Sequence, residues 1–374
     1  MEKAYKAALN FSYEGEIQEI SPMGKGHINK TYLVITNKEK YTLQCINTNV
    51  FKDPQSLMEN FYNVTEFISK KIEDGRASYL KKTLSVVKSK DGNILYLDDF
   101  GSYWRSYIYI DKVITFQKAT DLETVFKAGY AFGDFINILS DYNIDELHET
   151  IKDFHNTKVR FENFKKSLEK DIVNRAKQAK EEIEFILKRE KDYSIVVDKL
   201  EENLIPTRVT HNDTKLNNLL FDQDTFEPVC IVDLDTIMPG SLLYDYGDAL
   251  RIAGSSAEED QSDLSKVNFV MDNFIYFTKG FLKATKDSIT KEELELLAFS
   301  IKLITLEIGM RFLTDYLDND IYFATKREDH NLIRAKNQFK LVKDIEENLD
   351  QMNELVRKIY EELSWNMYAR TFHL

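Results

Sequence analysis

Apolar and polar positions follow two different rhythms in this chain. Along 15–24 and 27–47 they alternate, and "TNKEK" interrupts the second stretch, so three strands are expected there. The segment 51–75 changes to helical spacing, with Leu57, Phe61, Val64, Phe67, Ile68 and Ile72 recurring at three- and four-residue steps. Pro54 suits its first turn and Gly75 its stop. The pattern predicts a hairpin over 83–99, with Asp91-Gly92 supplying the positive φ angles of a tight turn. A last aromatic strand covers 103–111.

After Asp111 the helical rhythm dominates. Helices are expected over 121–142, 160–190, most of 256–286, 290–317 and 331–363, and only 206–240 reads as short strands and loops. No low-complexity linker or internal repeat divides the chain. These elements predict an α+β fold with a small antiparallel-sheet lobe over 1–111 and a larger, mainly helical lobe over 112–374.

Composition narrows the function more than the fold. At 374 residues the chain can bury one large core or two lobes. Its hydrophobic share of 43% and charged share of 30% are ordinary for a globular protein. There is no apolar run long enough to span a bilayer and no signal-peptide core, and Cys45 and Cys230 lie far apart inside apolar segments. A cytoplasmic location is therefore expected. The net charge of -13 argues against a nucleic-acid backbone as partner. It leaves room for a small phosphorylated ligand held by a local site or a metal.

The candidate chemistry begins in the octet "HNDTKLNN" (211–218) and continues in "IVDLD" (231–235). In the spacing His211-x-Asp213-x4-Asn218, an Asp can orient an alcohol and accept its proton, and an Asn can turn its carbonyl oxygen to a metal. Asp233 follows as an oxygen ligand suited to Mg2+. The bland alternative is a polar turn with Asn and Asp caps, followed by a solvated strand end. The octet and the later acids, in this order and at this separation, favour a phosphoryl-transfer site. Earlier, "SPMGKGHINKTYLV" (21–34) places Gly24 and Gly26 between strands, where backbone N–H groups could fold over phosphates. A two-glycine hairpin turn is the plain reading of that stretch taken alone.

Together these segments resemble the aminoglycoside phosphotransferase and choline kinase group, whose fold is protein-kinase-like. The resemblance runs over nearly the whole chain: glycine loop, hinge strand "YIYID", catalytic loop, "IVDLD" and "LLYDYGD". Finer features, "GHINKTYLV", "YTLQCINTNVFKDP", "VDLDTIMPG", "DYGDALR" and "MRFLTDYL", are similar to the N-acetylhexosamine 1-kinases of bacteria. That resemblance implies ATP as co-substrate, Mg2+ as cofactor, and transfer to the anomeric hydroxyl of N-acetylglucosamine or N-acetylgalactosamine. It implies Asp213 as catalytic base, also touching the substrate. Asn218 and Asp233 become metal ligands, with Asp235 assisting from the same strand face, and Asp245 braces the catalytic loop. His27, Arg311 and Tyr322 would contact the sugar. Gly24, Lys25, Gly26, Gln44 and the hinge residues Tyr109 and Ile110 would lie along the nucleotide. Taken without the resemblance, Arg311 reads as an ion pair with Asp315 and Tyr322 as a half-buried packing ring.

One position departs from the wider group. Most kinases of this fold carry Lys on the third strand, and here Gln44 stands there, as it does in the hexosamine 1-kinases. Phosphate charge would then fall to metal ions, backbone N–H groups and Lys25, with Glu59 the nearest acid for a clamp. Two alternatives stay open: a kinase of the same fold for another small alcohol (choline, homoserine, another sugar, an aminoglycoside), or an inactive nucleotide-binding protein.

Overall fold

The computed structural model describes residues 1–24, 28–77, 79–118 and 121–371, with 366–371 as backbone alone. Lys25, Gly26 and His27, three of the candidate ligand-binding residues, lie outside the described residues. The chain forms two compact units. The first comprises 1–115, 141–152 and 219–239, and the second 116–140, 153–218 and 240–374. The segment with Asp233 and Asp235 thus packs with the sheet unit, and the octet with the helical unit.

The first unit opens with a short helix, α1 (Glu2–Ala8), then β1 (Ile17–Pro22), β2 (Lys30–Thr36), β3 (Lys40–Cys45), α2 (Pro54–Glu73), β4 (Val86–Val87), β5 (Tyr96–Leu97), β6 (Tyr103–Ile108) and β7 (Val113–Ile114). The antiparallel sheet runs β1-β2-β3-β6-β4, with β5 also on β6. Alternation places Val34, Leu43 and Trp104 in its core beside the buried alanines of α1. Burying a side chain such as Leu43 contributes about 1.5–3 kcal/mol. Asp53 caps α2 by accepting from Gln55 N and Ser56 N, and Pro54 takes the first helical position. The expected 83–99 hairpin forms differently. Gly92 turns the chain at φ 82°, but the flanking strands pair on β6 through Val86↔Tyr107 and Tyr96↔Trp104. A second small sheet in this unit has the order β10-β9-β7, from β9 (Leu219–Asp222) and β10 (Pro228–Ile231).

The second unit is built from α3 (Leu122–Ile138), α4 (Thr157–Lys170), α5 (Lys180–Leu187), α6 (Ile195–Glu201), the short strand β8 (Arg208–Thr210), α7 (Leu242–Ala253), α8 (Met271–Thr285), α9 (Lys291–Leu317) and α10 (His330–Thr371). Helices α3 and α8 approach closely because glycines face backbone. A Cβ on Gly129 would lie 2.1 Å from Phe277 O, and one on Gly280 2.1 Å from Phe126 O. The expected helix over 160–190 is two helices. Asp171 adopts the left-handed conformation at the end of α4, φ 34°, and its carboxylate accepts from Arg175 N and Ala176 N, which turns the chain. Residues 256–270 hold only a single 3₁₀ turn, and the helix expected across 256–286 starts at Met271.

Candidate functional site

The octet sits after β8, and its backbone is fixed from α7. Ser241 caps α7, which puts Asp245 in the first turn, fully buried. Its Oδ2 accepts from His211 N at 2.8 Å and its Oδ1 from Asn212 N at 2.7 Å. Thr214 Oγ1 donates to Asp245 O at 2.6 Å. One helical residue therefore holds three positions of the octet. The His211 ring is buried against Phe132 and Phe135 of α3, and its Nδ1 accepts from Asp213 N at 3.2 Å.

This frame presents Asp213 at the surface of the unit, partly exposed. Lys215 Nζ lies 2.7 Å from Asp213 Oδ1. Asn218 Nδ2 donates to Asp213 O at 2.9 Å and faces Oδ2 at 3.4 Å. With its amide nitrogen so committed, Asn218 keeps its side-chain oxygen as the atom able to meet a cation. Lys215 belongs to the octet, yet spacing arguments about acids and amides pass over it. The signal was a cation two residues after the candidate base.

Burial pushes Asp245 up to about 6 from its ordinary 3.8, against the pull of His211 and the two N–H donors. The folded chain therefore holds this proton more tightly than the unfolded chain. The contribution of this group to stability is fully present below pH about 3.8 and declines as pH rises to about 6. We expect wild type to lose roughly 3 kcal/mol relative to Asp245→Asn across that window. Urea unfolding of both proteins between pH 4 and 7 measures it, and parallel curves would contradict it.

In the first unit, β10 ends at Ile231 and the strand does not continue through the acids. Asp233 is exposed and left-handed, φ 61° and ψ 52°, and Leu234–Thr236 form a 3₁₀ turn. Asp233 and Asp235 therefore do not share a strand face. Asp235 is buried. Its Oδ1 lies 2.5 Å from Arg105 Nη1, and its Oδ2 accepts from Asn29 Nδ2 at 2.6 Å. Gln44, on β3, accepts from Arg105 Nε and Nη2 at 2.8 and 2.7 Å and donates to Thr31 Oγ1 at 2.9 Å. Glu59 makes no clamp with Gln44. It pairs with His148 Nε2 at 2.7 Å. At the candidate hinge, Tyr109 N donates to Lys40 O at 3.0 Å, so this N–H serves the sheet. Ile110 is half-buried beside it, and Gly24 turns with φ 73°.

Arg311 and Tyr322 are brought together within the second unit. Asp315 does not pair with Arg311. Its carboxylate accepts from Tyr322 N at 2.8 Å and Phe323 N at 2.9 Å, folding that loop back over α9. The Arg311 guanidinium then sits 5.8 Å from the Tyr322 ring and 5.7 Å from that of Phe323. Its acid is Glu307, at 3.6 Å one turn earlier. Burial alone would raise Glu307, but His155, at 3.0 Å, and Arg311 outweigh it and hold this carboxyl below its ordinary value. Tyr322 is 63% exposed, more open than a half-buried packing ring, although its ring lies edge-on to that of Phe323 at 4.8 Å. Both residues line a cavity of about 380 Å³ with Arg160, Lys166, Lys170 and Phe323. Burial and the neighbouring Arg311 pull Arg160 below the usual guanidinium value.

Residues 99–266 match the model of a family described as the phosphotransferase enzyme family. Solved structures share the fold across nearly all of the chain. A microcompartment-associated aminopropanol kinase is 12% identical, with a TM-score of 0.58, covering 94% of this chain and 98% of its own. Choline kinase from Cryptosporidium parvum is 14% identical, with a TM-score of 0.56 and coverage of 91% and 92%. A spectinomycin phosphotransferase, solved with ADP and spectinomycin, is 12% identical, with a TM-score of 0.52 and coverage of 97% and 98%. The fold is the α+β, protein-kinase-like one, and no described helix is long and apolar enough to cross a membrane.

Proposed function

We propose that this chain is an ATP- and Mg2+-dependent kinase of small molecules that phosphorylates the anomeric hydroxyl of N-acetylhexosamines. The arrangement of Asp213 carries the phosphotransferase reading. Asp245 fixes the backbone on its N-terminal side, Asn218 fixes its own carbonyl, and Lys215 lies against its carboxylate. A carboxylate held this way can orient an alcohol and take its proton as the bond to phosphorus forms. An anomeric hydroxyl is more acidic than other sugar hydroxyls, which suits so weak a base. Lys215 would supply positive charge beside the incoming phosphoryl group. The family match over 99–266 and the ADP-bound spectinomycin phosphotransferase support the same reading.

The donor chemistry on each unit suits Mg2+. Asp233 of the first unit offers an exposed carboxylate and Asn218 of the second an amide oxygen, each a hard ligand of the kind that binds Mg2+ with nucleotide phosphates. Among the described residues no group of three or more His, Cys, Asp or Glu side chains could hold a metal by itself, so phosphate oxygens and water would complete the shell. The ion would neutralise developing charge on those oxygens.

The cavity around Arg311 and Tyr322 favours a sugar over an amine. Four cations, Arg160, Lys166, Lys170 and Arg311, outnumber the two acids of the lining, Asp315 and Asp318, which disfavours a cationic acceptor, and guanidinium donors with an exposed tyrosine ring suit hydroxyl and acetamido oxygens. The aminopropanol and choline kinases among the structural neighbours act, by their names, on cationic alcohols. A panel of N-acetylhexosamines, choline, amino alcohols and aminoglycosides tests the choice, and turnover only with amines would overturn it. Arg311→Ala should raise the KM for the sugar roughly 10- to 100-fold with a smaller change in kcat, as loss of a charged hydrogen bond costs about 1.5–3 kcal/mol. Unchanged steady-state constants would remove Arg311 from the sugar site.

A further inference from the structure

The third strand lacks the usual lysine, and the first unit places an unassigned cation on the neighbouring strand. Gln44 and Arg105 are direct partners in the β3–β6 register. Arg105 is 2% exposed, and its guanidinium has defined partners on three sides. Gln44 Oε1 takes Nε and Nη2, Asp235 takes Nη1, and the Phe61 ring of α2 lies 4.7 Å from the guanidinium carbon. Burial pulls Arg105 down, and Asp235, more than the other neighbours, brings it back above the ordinary value. Nothing in a nucleotide-binding role alone requires a charged pair this deep. Removing one member of such a pair leaves an unpaired buried charge, which is the costly outcome.

The network extends further through Asp235. Asn29, which donates to Asp235 Oδ2, accepts from Asn47 N at 2.9 Å, and Thr31 orients the Gln44 amide. Residues just after the glycine loop, β3, β6 and the turn at 234–236 therefore converge on one guanidinium. That turn begins at Asp233, whose left-handed backbone is unfavourable for a residue other than Gly, Asn or Asp.

Resting on the kinase reading above, we propose that Arg105 is a positioning residue: held by Gln44, it fixes through Asp235 the turn that presents Asp233. Asp235 then serves this anchor and is not itself a ligand of the metal. Arginine is required because a lysine ammonium cannot meet Gln44 and Asp235 with a planar fork.

Hydrogen exchange across 233–237, calorimetric titration with Mg2+-ADP and steady-state kinetics of Arg105→Lys test this together. Exchange in that segment should quicken by about tenfold or more, the step set by losing one ordinary hydrogen bond. The dissociation constant for Mg2+-ADP should rise by a similar factor, with KM for ATP changing more than kcat. Asp235→Asn should reproduce both shifts. Should either single variant not fold, the Arg105→Met/Asp235→Met pair removes both charges at similar volume, and it should fold yet keep the fast exchange and weak nucleotide binding. Wild-type exchange and affinity in a folded Arg105→Lys or double variant would overturn the proposal. Weakened metal binding in Asp235→Asn with Arg105→Lys unchanged would overturn it too, by making Asp235 a ligand. Exchange needs no substrate, so it judges the anchor even if no acceptor is phosphorylated, and that second failure would count against the kinase reading alone.

Discussion

Asp213→Asn should lower kcat by at least about a hundredfold, the lower end of what general-base assistance contributes. The substitution keeps the side-chain shape and removes only charge and basicity. The backbone of the loop should hold, because its bonds to Asp245 run through His211 N and Asn212 N and do not involve the Asp213 carboxylate. The bond from Asn218 Nδ2 to Asp213 O survives as well, so the amide oxygen of Asn218 stays in place. Lys215 loses its carboxylate at 2.7 Å but keeps the nearby charge of Asp248. Nucleotide affinity should therefore remain near wild type while the chemical step fails. Steady-state rates beside calorimetric titration of Mg2+-ADP separate these quantities. Near-wild-type turnover would return "HNDTKLNN" to a polar turn, and the phosphotransferase reading would lose its base.

Much of the fold was legible because its periodicities are strong and local. The strands of the first unit alternate cleanly, and α2 carries both its Asp53 cap and its Pro54 start in the sequence. The return of the chain to the first unit was not legible. The stretch 206–240 reads as short strands and loops throughout, and no change of pattern within it marks 219 as the point from which residues 219–239 pack with the sheet unit. The pattern D-x-D invited a period of two, with both carboxylates on one face. Asp233 breaks that period with φ 61°, and a single left-handed residue is invisible to a hydrophobic pattern. Asp235 is thereby turned inward to Arg105. Arg105 itself was overlooked because an arginine in an aromatic strand reads as the solvent-facing member of an alternation. Its signal was indirect: a strand that has lost an expected cation, beside a strand with a cation not otherwise needed. For Arg311 the sequence offered Asp315, one helical turn on. The fold gives Asp315 to the backbone of Tyr322 and Phe323, a tertiary contact that i,i+4 spacing cannot foresee.

The same left-handed turn makes Asp233→Asn a sharp test of the metal-binding role. Asparagine tolerates this backbone region about as well as aspartate, so the substitution should leave the turn unstrained and remove only the charge. Its thermal midpoint should stay close to wild type. Mg2+-nucleotide affinity should fall by at least about tenfold, because a neutral amide is a poorer ligand than a carboxylate for a hard divalent cation. Turnover should fall with it and recover in part as Mg2+ is raised, which Asp213→Asn should not do. Asp233→Ala would add a second defect, since alanine in a left-handed conformation costs about 1–2 kcal/mol. A lowered midpoint in Asp233→Ala, absent from Asp233→Asn, separates backbone strain from ligand loss. Excess chelator should abolish turnover of the wild type. If activity persists in chelator, or if Asp233→Asn shows the wild-type dependence on Mg2+, Asp233 holds no ion. The exposed carboxylate would then only shape its turn, and phosphate charge would have to be met by groups such as Lys215.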